Sequence, residues 1–128
     1  MQNATNRAQR NEYSYCNFNL KIGTSNIQGQ GTQNEKKLRK VNRKFENANL
    51  DILFVQEARS TGEINERKKW EKLFKTKDIY LTQFGGDSVG VGIILKNGVN
   101  FQVQHVLQDP NGRYIGLIGD HEQASFLL

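Results

Sequence analysis

Two positions in this sequence have the right chemistry for an oxygen-rich, charged ligand: Asn26, ending an alternating run, and Glu57, directly following an apolar one. A carboxylate suits a hard divalent cation such as Mg²⁺, which prefers oxygen donors. An amide can orient a phosphate oxygen or a second carboxylate without adding charge. Ligands of parallel α/β units gather beyond the carboxyl ends of the strands, where both residues fall. By position alone the plainer reading, a solvated residue after a strand, stays open for Glu57. Other motifs fail sooner. Gly29-x-Gly31 lacks the third glycine of a dinucleotide loop, and Gly90-x-Gly92 sits inside a strand, where close packing accounts for it. There is no Walker loop or CxxC pair, and the lone Cys16 has no internal partner for a disulfide.

The elements that must position Asn26 and Glu57 are readable from periodicity. Residues 1–17 are polar, lack a sustained period and read as a loose arm ahead of one domain, 18–128. Leu20, Ile22 and Thr24 alternate with Lys21, Gly23 and Ser25, a strand pattern. From Asn34 to Asn49 the apolar residues Leu38, Val41, Phe45 and Ala48 form one helical stripe, with Asn34 as N-cap. Asp51 to Gln56 reads as a strand buried on both faces, which makes a βαβ unit with parallel strands. A second helix over Ile64–Lys75 buries Trp70, Leu73 and Phe74. Five strand-like runs then follow: 79–84, 89–95, 101–107, 113–118 and 123–128. Asp109-Pro110-Asn111-Gly112 has the residue order of a type I turn.

Charged residues make up 24% of the chain, which fits a folded domain, and no apolar run approaches the ~20 residues needed to span a bilayer. The start of the chain lacks the apolar core of a secretory signal, so a nuclear or cytoplasmic protein is expected, and Asn3-Ala4-Thr5 reads as a chance sequon. Net charge is +5, and twelve of the eighteen Lys and Arg residues lie in two stretches. One holds Lys36, Lys37, Arg39, Lys40, Arg43 and Lys44; the other holds Arg67, Lys68, Lys69, Lys72, Lys75 and Lys77. Such clusters attract phosphate backbones, but solvated helix faces look the same in sequence.

Four blocks in order resemble the endonuclease/exonuclease/phosphatase family: Lys21 to Gly29, Asp51-Ile52-Leu53-Phe54-Val55-Gln56-Glu57, Ser88 to Leu95, and Asp109-Pro110-Asn111-Gly112-Arg113-Tyr114-Ile115. The last block and the Trp70 region are most similar to the apurinic-type endonuclease domains of non-LTR retrotransposons. The resemblance runs from about Leu20 to Leu128. It implies an α/β fold, the N-terminal half of a two-sheet α/β sandwich, here one mixed sheet with two helices. It also implies phosphodiester hydrolysis with Mg²⁺ or Mn²⁺ and DNA as the substrate. Glu57 would be the metal ligand and, with Asn26, the catalytic residue that this chain supplies. Gln28, in place of the usual Asn or Asp, together with Arg59 and Ser88, would be weak nucleic-acid contacts.

The family's later motifs, a Tyr-x-Pro-Asn strand end, an Asp-x-Asn pair and a final Asp-His pair, lie outside this sequence. Asp120-His121 comes too early in chain order to be that last pair, and His105 reads as structural. A truncated endonuclease domain, inactive alone, is therefore expected. Its exposed sheet face should favour marginal stability, oligomers or aggregation. Two alternatives stand beside it: a non-catalytic nucleic-acid-binding remnant of a retrotransposon, and a lipid or inositol phosphatase of the same family.

Overall fold

The alternation after Leu20 becomes a strand in a computed structural model of the chain, which describes residues 19–27, 35–60, 63–82 and 90–128. The arm over residues 1–17, the N-cap Asn34, and the site candidates Gln28 and Ser88 lie outside the described residues. Strand β1 (Ile22–Asn26) is followed by α1 (Glu35–Asn47), β2 (Ile52–Gln56), α2 (Ile64–Phe74), β3 (Ile79–Leu81) and β4 (Val91–Leu95). Three further strands complete the order: β5 (Gln102–Gln108), β6 (Ile115–His121) and β7 (Ala124–Leu127). The α/β class expected from the sequence is present.

The first sheet has the order β1-β2-β4-β3. β1 and β2 are parallel, in a register running from Ile22 opposite Ile52 to Asn26 opposite Gln56. β4 is antiparallel to both β2 and β3. Both helices lie on one face of this sheet. Leu38 and Phe45 of α1, and Trp70 and Phe74 of α2, pack with Leu53, Val55, Ile79 and Ile94 in one buried cluster. Each helix ends where a residue enters the left-handed region. Asn49 (φ 54°) closes α1, as Asn49 N–H donates to Glu46 O and Leu50 N–H to Phe45 O, a Schellman pair. Lys75 (φ 56°) closes α2 in a similar way, with Thr76 N–H donating to Glu71 O.

The expectation of one mixed sheet holds only for the first four strands. β5, β6 and β7 form a separate antiparallel sheet in that order. The cause is the second face of the first sheet, where Ile52, Ile93 and Leu95 would otherwise meet water. Instead they are fully buried in a second cluster with Val103, Leu117 and Phe126 of the new sheet. The crossing is made at Lys96–Phe101. A turn closed by Val99 N–H to Lys96 O, with Gly98 at φ 81°, sends Val99 and Phe101 across between the sheets. At about 1.5–3 kcal/mol per buried large apolar side chain, this covering is a major source of stability. On the outer side of the second sheet Leu107 and Leu127 remain 43% and 67% exposed.

The loop between β6 and β7 has two residues, since His121 pairs with Ala124. Glu122 (φ 51°) and Gln123 (φ 70°) both occupy the left-handed region, as a type I′ turn demands. Neither residue type favours it. Replacing the pair with Asn-Gly should raise stability by about 1 kcal/mol, read as a higher urea midpoint at an unchanged m-value. A midpoint that stays put or falls would show that the loop carries no such strain.

Candidate functional site

Because β1 and β2 are parallel and in register, their carboxyl ends reach the same edge of the sheet. Ile27 N–H donates to Gln56 O at 3.0 Å and carries the ladder one residue past the end of β1. Asn26 and Glu57 meet there: Asn26 Nδ2 donates to Glu57 Oε2 at 2.8 Å. The neighbouring Gln56 has a structural task, its Nε2 donating to Thr24 Oγ1 at 2.7 Å across the same two strands.

Glu57 is aimed by an unusual backbone. Both Glu57 (φ 55°) and Arg59 (φ 49°) are left-handed, and Ala58 between them is fully buried. Ala58 N–H donates to Gly90 O at 3.1 Å, which pins the middle of this zigzag to the start of β4. Its neighbours are thereby left toward solvent, Glu57 half-buried and Arg59 exposed. A non-glycine residue in this region costs on the order of 1 kcal/mol, and such strain clusters at functional sites. Beyond Arg59, the buried Ser60 Oγ donates to Glu66 Oε1 at 2.7 Å and ties the segment to the first turn of α2.

The same edge holds a residue that periodicity did not single out. Thr82, just past β3, is fully buried. Its Oγ1 accepts from Val91 N–H at 2.9 Å and lies 3.0 Å from Gly112 O, to which it donates. It thus joins the first sheet to the turn between β5 and β6. That turn has the expected form: Gly112 N–H donates to Asp109 O at 2.9 Å, and Gly112 is at φ 76°. The Asp109 carboxylate also accepts from Arg113 Nε at 2.7 Å and from the Asn111 and Arg113 N–H groups. The Arg113 hydrogen bond, more than the others, holds Asp109 below the usual carboxylate range.

Asp120 and His121 do not form a catalytic pair, which agrees with their rejection on chain order. As successive strand residues they point to opposite faces of the sheet. Asp120 accepts from Ser125 Oγ and Gln104 Nε2, while the buried His121 has Nδ1 at 2.6 Å from Asn100 O. β6 also starts near the Asp109–Gly112 turn and ends at His121, so His121 lies at the opposite end of the sandwich from Glu57. His105 lies within β5, opposite Ile118.

The cation that the resemblance implies would take Glu57 as a ligand. No cluster of three or more His, Cys, Asp or Glu side chains exists among the described residues. Glu57 Oε1 carries no hydrogen bond there, so one hard oxygen is available beside the amide-bound Oε2. Mg²⁺ keeps several waters and is often held by one or two carboxylates plus substrate phosphates. The donor set fits as a single ligand position and does not by itself make a cage. No helix among the described residues is long and apolar enough to cross a membrane. Comparison with known protein families finds no matching family model, and comparison with curated protein sequences finds no match.

Proposed function

We propose that the Asn26–Glu57 edge is part of the metal-holding centre of a phosphodiester hydrolase acting on DNA. The observation that carries this reading is the 2.8 Å hydrogen bond from Asn26 to Glu57 at the carboxyl edge of two parallel strands. Two further features support it: the strained φ of Glu57 and the buried Ala58 and Thr82 that fix its surroundings. In this reading Glu57 offers Oε1 to Mg²⁺ or Mn²⁺, and Asn26 holds the carboxylate in one orientation. When bound, the ion would polarise a phosphoryl oxygen. Among the described residues no group of three or more His, Cys, Asp or Glu side chains gathers at this edge. Since losing one member of a cooperating catalytic set costs orders of magnitude, this chain alone is proposed to be inactive.

Two measurements test the proposal. Millimolar Mn²⁺ should broaden the Asn26 side-chain amide NMR signal in the wild type and leave it sharp in Glu57→Gln. Equal broadening in both, or none in either, would sink the metal assignment. Supercoiled plasmid incubated with the chain and Mg²⁺ should show no nicking above a Glu57→Ala control. Robust nicking that depends on Glu57 would overturn the inactive reading while strengthening the hydrolase class.

A further inference from the structure

The cations of α1 are sorted onto different sides of the helix. Leu38 and Phe45 are buried against the sheet, with Val41 beside them. Glu35, Arg39 and Asn42 face α2, where they line a groove shared with Lys69, Lys72 and Leu73. Both acidic residues of α1 are satisfied on that flank: Glu35 pairs with Arg39 at 2.7 Å and Glu46 with Lys75 at 3.7 Å. The remaining side presents Lys36, Lys40, Arg43 and Lys44, all exposed and without an acidic partner among the described residues. Their i, i+4, i+7, i+8 spacing makes one stripe, roughly 12 Å long at the helical rise.

We propose that this stripe docks the phosphate backbone of duplex nucleic acid, independently of sequence and of the Glu57 edge. Phosphates of one strand follow each other at about 3.4 Å along a duplex axis, so four cations over ~12 Å can meet a short run of them. The stripe carries no apolar or aromatic residue, because the apolar side of α1 is spent on the core. A membrane-surface helix needs an apolar face to insert, and a protein interface needs buried aromatic or aliphatic anchors. A backbone-phosphate partner needs neither. α2 differs, since Arg67 pairs with Glu71 at 2.9 Å and its cations share their surfaces with Glu71, Asp78 and Glu35.

The test is fluorescence anisotropy with a labelled 20-bp duplex in EDTA, so that the result does not depend on any metal at Glu57. The variant Lys36→Gln/Lys40→Gln/Arg43→Gln/Lys44→Gln is compared with the matched control Lys68→Gln/Lys69→Gln/Lys72→Gln/Lys77→Gln. Circular dichroism verifies that both stay folded. With about 0.9 units of salt slope per phosphate contact, the stripe variant should lose roughly 3 units of slope. Its affinity at 50 mM salt should fall more than tenfold, with the control within threefold of wild type and no change on scrambling the duplex sequence. Equal losses in the two variants would overturn the proposal, as would no binding at 20 mM salt. Stripe-dependent binding to phosphatidylserine vesicles that is tighter than binding to the duplex would also overturn it.

Discussion

Trp70→Ala should remove about 3–5 kcal/mol of stability, a large part of the roughly 5–15 kcal/mol typical of a whole domain. Trp70 is fully buried and stacks on Phe74 with ring centroids 5.7 Å apart and planes at 21°. Phe74 in turn meets Phe45 edge-on at 6.2 Å, so the Trp70 ring supports the only aromatic bridge between α1 and α2 among the described residues. Truncation leaves a cavity the size of an indole beneath both helices. Trp70→Phe provides the contrast. It keeps a ring against Phe74 and removes an indole N–H that is buried without a hydrogen-bond partner. Its cost should be less than half that of Trp70→Ala. Urea midpoints by circular dichroism decide the matter, and a Trp70→Ala loss below 1 kcal/mol would contradict this account of the core.

Thr82→Val is the second large effect, expected to cost about 2–3 kcal/mol although the two side chains are nearly the same size. The hydroxyl accepts from Val91 N–H and lies within hydrogen-bonding distance of Gly112 O, and a methyl group can serve neither. Two backbone groups at a buried junction would then lose their partner. Thr82→Ser keeps the hydroxyl and should retain most of the stability. In thermal melts the valine variant should fall by roughly 8–15 °C and the serine variant by much less. Equal falls would show that the methyl group, not the hydroxyl, is what matters. The loss should also reach the candidate site, because Val91 follows Gly90, whose carbonyl holds Ala58 beside Glu57. Mn²⁺ broadening of Asn26 is therefore expected to weaken in Thr82→Val even where the protein remains folded.

What the sequence showed, and what it hid, follows from the range of each signal. The stripe of Leu38, Val41 and Phe45 and the apolar run Ile52–Val55 are local patterns, and both became the expected elements, while Ala48, expected on the same stripe, lies exposed just past α1. So did the Pro110–Gly112 turn, whose residue types declare their own backbone angles. The Glu122-Gln123 turn carries no such signature, and only the pairing around it forces those angles. Alternation also cannot say which strands share a sheet. The division into two sheets depends on which face Ile93 and Leu95 present and on the turn at Gly98. Glu57 and Asn26 were visible because strand ends in a βαβ unit predict their neighbourhood. Thr82 was not, since a threonine at a strand end looks ordinary until its partner, thirty residues later, is known.

The contacts that define the candidate site span long stretches of chain: 31 residues from Asn26 to Glu57 and 30 from Thr82 to Gly112. Neither can form within a single hairpin or helix, and each must wait for a crossover to close its loop. The helices and the β6–β7 hairpin can appear early in folding, but the edge around Glu57 is assembled only when distant segments have met. Occupancy of that carboxylate by Mn²⁺ would consequently serve as a late clock for refolding, its signal arriving after most helical ellipticity has returned.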